Sequence, residues 1–191
     1  APSEQNFKVY EKDTTAHAVY LFEKGENYFE VRRNYVYLIT KYHAKIKILD
    51  KQGFDESEIA IPYYHSEDRT EKISNIRAIT HNGIVKSSLL QEDVYEVDVN
   101  DRWSEKRFTF PNVKEGSILE YVYEVQSPFL FNLNGWDFQG DIPKVYTEYA
   151  AKIPGNYRYN RALIGELTLD VNDATIRKNC FRIPDSSVEP A

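Results

Sequence analysis

Apolar and polar side chains alternate with a period of two along most of this chain. The longest such run is Tyr28 to Leu49. Its even positions Val36, Leu38, Thr40, Tyr42, Ala44, Ile46 and Ile48 form a largely apolar row, and the odd positions Lys41, His43, Lys45 and Lys47 are polar. Alternation puts the two sets on opposite faces of a strand, whereas a helix would scatter both around its axis. A strand this long is expected to bend midway, crossing from one sheet to another. Before it, the pattern predicts edge strands at Phe7 to Glu11 and Ala18 to Phe22, the second ending at Lys24-Gly25-Glu26.

After it, Lys51-Gln52-Gly53 reads as a turn. Ile59 to Tyr64 contains Pro62 and belongs at an edge or a strand end. His65 to Lys72 is polar enough for an exposed loop. Ile73 to Thr80 and Ile84 to Lys86 flank Asn82-Gly83, the dipeptide that most strongly signals a tight hairpin. Ser88 to Gln91 has capping-box spacing and predicts one helical turn over Leu89 to Val94. Further strands are expected at Tyr95 to Val99, Trp103 to Phe110, Ile118 to Gln126, Val145 to Ile153, Arg161 to Asp170 and Thr175 to Ile183. With no βαβ rhythm and no helix of ten residues or more, the chain predicts an all-β fold: an antiparallel two-sheet β-sandwich with at most short helical turns. The expected division is an N-terminal segment 1–17, one sandwich domain 18–183 and a tail 184–191.

Composition narrows the chemistry. Fifteen tyrosines and ten phenylalanines suit half-buried pleated faces. A net charge of -6 argues against nucleic acid or an anionic membrane as partner for the whole surface. No run reaches the ~20 apolar residues of a membrane-spanning helix. The polar start Ala1-Pro2-Ser3-Glu4 lacks an initiating methionine, as expected of a processed, exported chain in the periplasm or at the cell surface. Cys180 is the single cysteine; no internal disulfide can form, and a small buried strand residue is favoured over a nucleophile.

Candidate chemistry concentrates between Pro128 and Tyr149, a loop too rich in large apolar groups to stand in water. It reads as a clasp folded back on the body. Trp136, Asp137, Phe138, Gln139, Asp141, Tyr146 and Glu148 are its candidate docking or ligand-facing residues. Aromatic faces with carboxylates invite a carbohydrate reading. The other reading has Trp136 and Phe138 plugging one end of the sandwich, with Asp137 and Asp141 accepting backbone hydrogen bonds. His17, His43, His65 and His81 lack metal-ligand spacing and are expected to be solvated or hydrogen-bonded. The acidic loops Glu67-Asp68 and Asp98 to Asp101 lack calcium-loop spacing. Lys41, Lys45 and Lys47 read as edge-strand lysines that discourage aggregation. No catalytic residue, metal site or cofactor is expected.

A series of short motifs adds a resemblance. Ile46-Lys47-Ile48-Leu49, Ile59 with Pro62-Tyr63, Lys72 to Ala78, Asn82-Gly83, Arg107 to Val113, Gly116 to Tyr121, Trp136 to Pro143 and Tyr146 to Tyr149 occur in this order. The series resembles the bacterial domain of unknown function found on the amino-terminal side of transglutaminase-like cores in exported multi-domain proteins. That resemblance implies a sandwich that is non-catalytic by itself. It would position a transglutaminase-like, cysteine-protease-like domain or bind another protein or a polymer. A stand-alone carbohydrate-binding or carbohydrate-active sandwich is the alternative.

Overall fold

The alternating runs become nine strands in two sheets among the described residues of the computed structural model, which are 8–130, 133–166 and 168–178. In chain order they are β1 (Ala18–Arg32), β2 (Tyr35–Ile48), β3 (Glu58–Tyr64), β4 (Lys72–Asn82), β5 (Val85–Ser88), β6 (Tyr95–Asn100), β7 (Trp103–Thr109), β8 (Ile118–Ser127) and β9 (Thr147–Lys152). The larger sheet has the order β5-β4-β8-β2-β1-β9, the smaller β3-β7-β6.

The long run does not bend between sheets. It is cut into a hairpin at Arg33 and Asn34, which adopt φ of 51° and 67°. Two consecutive left-handed residues match the right-handed twist of the flanking strands, and Asn tolerates that region better than most residues. The expected turn at Gly25 is absent: β1 runs through it in register with Tyr42. Nor is β2 an edge strand. It lies between β1 and β8, so its lysines guard no edge.

The larger sheet is mixed rather than purely antiparallel, because β9 pairs parallel to β1 from Glu23–Thr147 to Tyr28–Lys152. The route of the chain explains this. β8 ends beside Leu38, at the hairpin end of the sheet. The chain must travel back along the inner face before it reaches Tyr20, where Tyr20 N donates to Pro143 O and Val145 N to Tyr20 O. Having returned, it runs alongside β1 in the same direction. A direct turn would have given an antiparallel edge instead.

Other expectations shift locally. Gln91–Asp93 forms a 3-10 turn, but its N-cap is Leu90, with no side-chain cap; Ser88 is the last residue of β5. Lys51–Ser57 forms a longer 3-10 helix than a turn, started by Asp50, whose carboxylate accepts from Gln52 N. The expected first strand reduces to a bridge between Tyr10 and Asp13. The described residues 161–166 and 168–178 hold no strand. Leu163, Ile164, Val171 and Ile176 are exposed there, so their alternation finds no surface to bury against. Cys180 lies outside the described residues.

The main core lies between the sheets. Ala44, Ile46, Ile48, Ala78, Leu119 and Tyr121 face Ile61, Phe108 and Phe110. A second cluster, Phe29, Val36, Leu38 and Leu130, sits at the hairpin end, where Tyr157 stacks on Phe29 at 4.9 Å.

Candidate functional site

Beyond the cover of the smaller sheet, the inner face of β1, β2, β8 and β9 changes character. Pairing registers place Glu23, Gly25 and Asn27 of β1 in line with Thr40 and Tyr42 of β2, Tyr123 of β8, and Thr147 and Tyr149 of β9. The returning segment lays Trp136 over this patch. Its Nε1 donates to Thr147 Oγ1 at 2.9 Å, and its ring stacks on Tyr149 at 5.4 Å. Tyr42 stacks on Tyr123 at 4.9 Å and lies 5.9 Å from the indole. Gly25 has no side chain for a steric reason: a Cβ there would sit 2.3 Å from the indole ring. A glycine inside a strand marks such a close approach. Gly25→Ala is therefore expected to cost about 1–3 kcal/mol by overpacking. In a Trp136→Ala background most of that cost should vanish, and thermal melting of the four-member cycle measures the coupling.

At the floor Glu23 and Lys144 form a buried ion pair at 2.7 Å, with side-chain exposures of 9% and 8%. Glu23 also accepts from Tyr42 Oη at 2.7 Å and Thr147 Oγ1 at 3.3 Å. Lys144 Nζ makes a second bond, to Asp137 O, also at 2.7 Å. One ion pair thus ties β1 to the returning segment at two points. Burial pushes the tyrosines up: Tyr42 and Tyr121 lie far above the usual phenol, and Tyr123 and Tyr149 are also raised by desolvation. They remain neutral hydrogen-bonding groups at physiological pH.

All of these residues but Tyr121 and Thr147 line an open depression of about 270 Å³, with Asn134, Gly135 and Asp137 at its rim. Asn27 is 2% exposed; its Nδ2 donates to Tyr149 Oη at 2.8 Å, and its Oδ1 has no partner among the described residues. A neighbouring hollow of about 360 Å³ is lined by Tyr20, Glu56, Asp137, Gln139, Asp141 and Lys144. Burial first, then Asp141 and Asp55, raises Glu56 above the usual carboxylate range. Among the described residues no group of three or more His, Cys, Asp or Glu is arranged to hold a metal ion.

The sequence-predicted residues do not gather at one point. Trp136 covers the inner face as a half-buried lid, and Phe138 is partly buried. Asp137, Gln139 and Asp141 are exposed around the two hollows. Tyr146 and Glu148 project from the opposite face, where Tyr146 Oη donates to Glu148 at 2.7 Å and Lys24 pairs with Glu148 at 2.9 Å. Alternation along β9 causes this division, since Thr147 points inward between them. The sequence reading missed Glu23, Asn27 and Lys144. Glu23 and Asn27 did leave a signal, two polar residues flanking a glycine on a row that continues to Phe29 and Val31.

The outer face of the larger sheet carries charge networks. His43 Nε2 and His81 Nε2 each lie 2.9 Å from an oxygen of Glu120, and Lys45 Nζ lies 3.8 Å away. Burial alone would raise Glu120, but the bond from His43, the charge of Lys45 and the bond from His81 leave it below the usual range. A depressed carboxyl adds stability above its unfolded pKa and loses it as pH falls through the folded one. Glu120→Gln should therefore be less stable than the parent near neutrality, with the gap closing in acid; melting curves between about pH 7 and pH 3 read this directly. Lys47, expected on this polar face, is instead 2% exposed and donates to Gly116 O. Desolvation lowers its pKa, and Gly116 can supply that carbonyl because it turns at φ 84°.

Ser104 Oγ lies 3.2 Å from His65 Nε2 and 2.7 Å from Asp98 Oδ1. This is not the geometry of an activated serine. The hydroxyl donates to the carboxylate, which therefore does not orient the imidazole, and Ser104 is buried. His17 pairs with Asp50 at 2.8 Å.

Fold and site together define a β-sandwich module with an aromatic, ion-paired depression under a returning strap. The chain belongs to the family described as a Domain of Unknown Function with solved structure, DUF3857, whose model matches residues 38–173. No curated protein matches it. Among solved structures it is similar to the crystal structure of a "putative protease" from Parabacteroides distasonis, with TM-score 0.47 and 10% identity. That match covers 58% of this chain and 23% of the other, so the chain spans less than a quarter of that protein. No helix among the described residues is long and apolar enough to cross a membrane.

Proposed function

We propose that this chain is a non-catalytic accessory β-sandwich of an exported, periplasmic or cell-surface protein. It docks against a transglutaminase-like domain or another protein through the end of the returning segment. The observation that carries this reading is the contrast within 136–148. Trp136 and the Glu23–Lys144 pair fix the segment to the sheet, while Val145 and Tyr146 are each 54% exposed. An apolar pair on a pre-ordered backbone costs little entropy to bury against a partner. The resemblance of the motif series to modules that precede transglutaminase-like cores supports the choice of partner.

The test is association of the chain with the transglutaminase-like domain expected to follow it, measured by calorimetry. Val145→Asp with Tyr146→Ala should weaken binding at least about tenfold while leaving the melting temperature unchanged. Equal binding by parent and variant, or no association at about 100 μM, removes the docking role.

A further inference from the structure

We propose that the depression beneath Trp136 binds one neutral polyhydroxylated ring, a pyranose unit either free or at the end of a glycan. Four observations converge on that chemistry. The first is size. At about 270 Å³ the hollow lies just below the usual range of ligand pockets, which leaves room for no more than a single ring or side chain.

The second is charge. Glu23 is already matched by Lys144, so a cationic ligand meets an ammonium, and an anionic one meets Glu23 and the rim carboxylate of Asp137. The balanced pair favours an uncharged ligand. The third is the wall. Trp136, Tyr42, Tyr123 and Tyr149 line the hollow, and aromatic rings carry negative quadrupoles that suit the polarised C–H face of a sugar ring.

The fourth is Asn27. Its amide is buried at the floor, tied to Tyr149 at one end and without a partner at the other. Buried polar atoms are rarely left so, and an unmet one calls for a polar partner. The unmet oxygen is sheltered from solvent as it stands, but the terminal torsion of an asparagine is broad and turns readily toward a ligand. Exchanging the amide's two ends leaves an unmet N–H instead of an unmet oxygen. A hydroxyl answers either case, because it both donates and accepts. A ligand offering only N–H, or only a carbonyl, does not.

The experiment titrates the whole chain with glucose, galactose, mannose, N-acetylglucosamine and their short neutral oligosaccharides. Trp136 fluorescence and calorimetry are the readouts, and Trp103→Phe removes the other tryptophan's emission. At least one sugar is expected to saturate the Trp136 signal. Saturation by a monosaccharide assigns a free ring, and saturation only by oligosaccharides assigns a chain end. Asn27→Leu should weaken binding at least about tenfold; because it also breaks the bond to Tyr149 Oη, its melting temperature is measured beside it to show that the variant is folded at the titration temperature. Tyr149→Phe, a milder change, should weaken it less and in the same direction. No saturable signal from any of these sugars at tens of millimolar overturns the proposal. So does binding that Asn27→Leu and Trp136→Ala leave unchanged.

Discussion

Glu23→Ala is expected to destabilise the protein by about 3–5 kcal/mol, because it leaves the Lys144 ammonium buried without its counter-charge. Glu23 and Lys144 are among the least exposed charged side chains described, at 9% and 8%. The carboxylate also collects the Tyr42 and Thr147 hydroxyls, so its loss orphans two further donors. The damage should be local in origin and global in effect. Lys144 is also bonded to Asp137 O, and a strap released there frees the entry to β9. For a chain of this size the change amounts to about 6–20 °C in melting temperature. A Glu23→Leu, Lys144→Met double variant should recover the part of the loss due to the unpaired charge, while the Tyr42 and Thr147 hydroxyls stay without their acceptor. A single variant that melts within about 1 °C of the parent would mean that the pair does not hold the strap.

Phe108→Ala is expected to cost a similar about 3–5 kcal/mol for a different reason, a cavity rather than a charge. Phe108 is 1% exposed and meets the rings of Phe110 at 5.6 Å and Tyr121 at 6.3 Å. It is where the smaller sheet touches the larger one, so its removal tests the two-layer architecture itself. Arg107, its neighbour in β7, points the other way and pairs with Glu105 on the surface. Arg107→Ala should cost less than about 1 kcal/mol, as exposed ion pairs usually do. Equal losses from the two substitutions in urea denaturation would contradict the assignment of faces along β7.

Much of the layer structure was legible because side-chain direction in a strand follows residue parity. The rows Ala44-Ile46-Ile48 and Leu119-Tyr121 could be written down without coordinates, and they are the rows that face the smaller sheet. Parity also separated Glu120 and Glu124 from that core. Several features were not legible. Arg33-Asn34 carries no glycine, so two strands read as one. Gly25 looked like a turn because composition cannot distinguish a glycine needed for φ from one needed for clearance; here the indole of Trp136 requires the space. Lys47 looked solvated because its burial depends on the carbonyl of Gly116, distant in sequence.

The candidate site divides along the same line. The aromatic segment around Trp136 stood out in the sequence because such a loop must fold back on something. What it folds back on was hidden, since Glu23 and Asn27 precede it by more than a hundred residues and become its floor only through parallel pairing of β9 with β1. The sequence by itself determined most of the strands, their two faces and the need for a clasp, because those follow from alternation and from the cost of wetting apolar groups. The tertiary structure alone decided strand order, the parallel edge and the meeting of Glu23, Asn27, Lys144 and Trp136. These depend on the route of a connection and on long-range register, which no local spacing encodes.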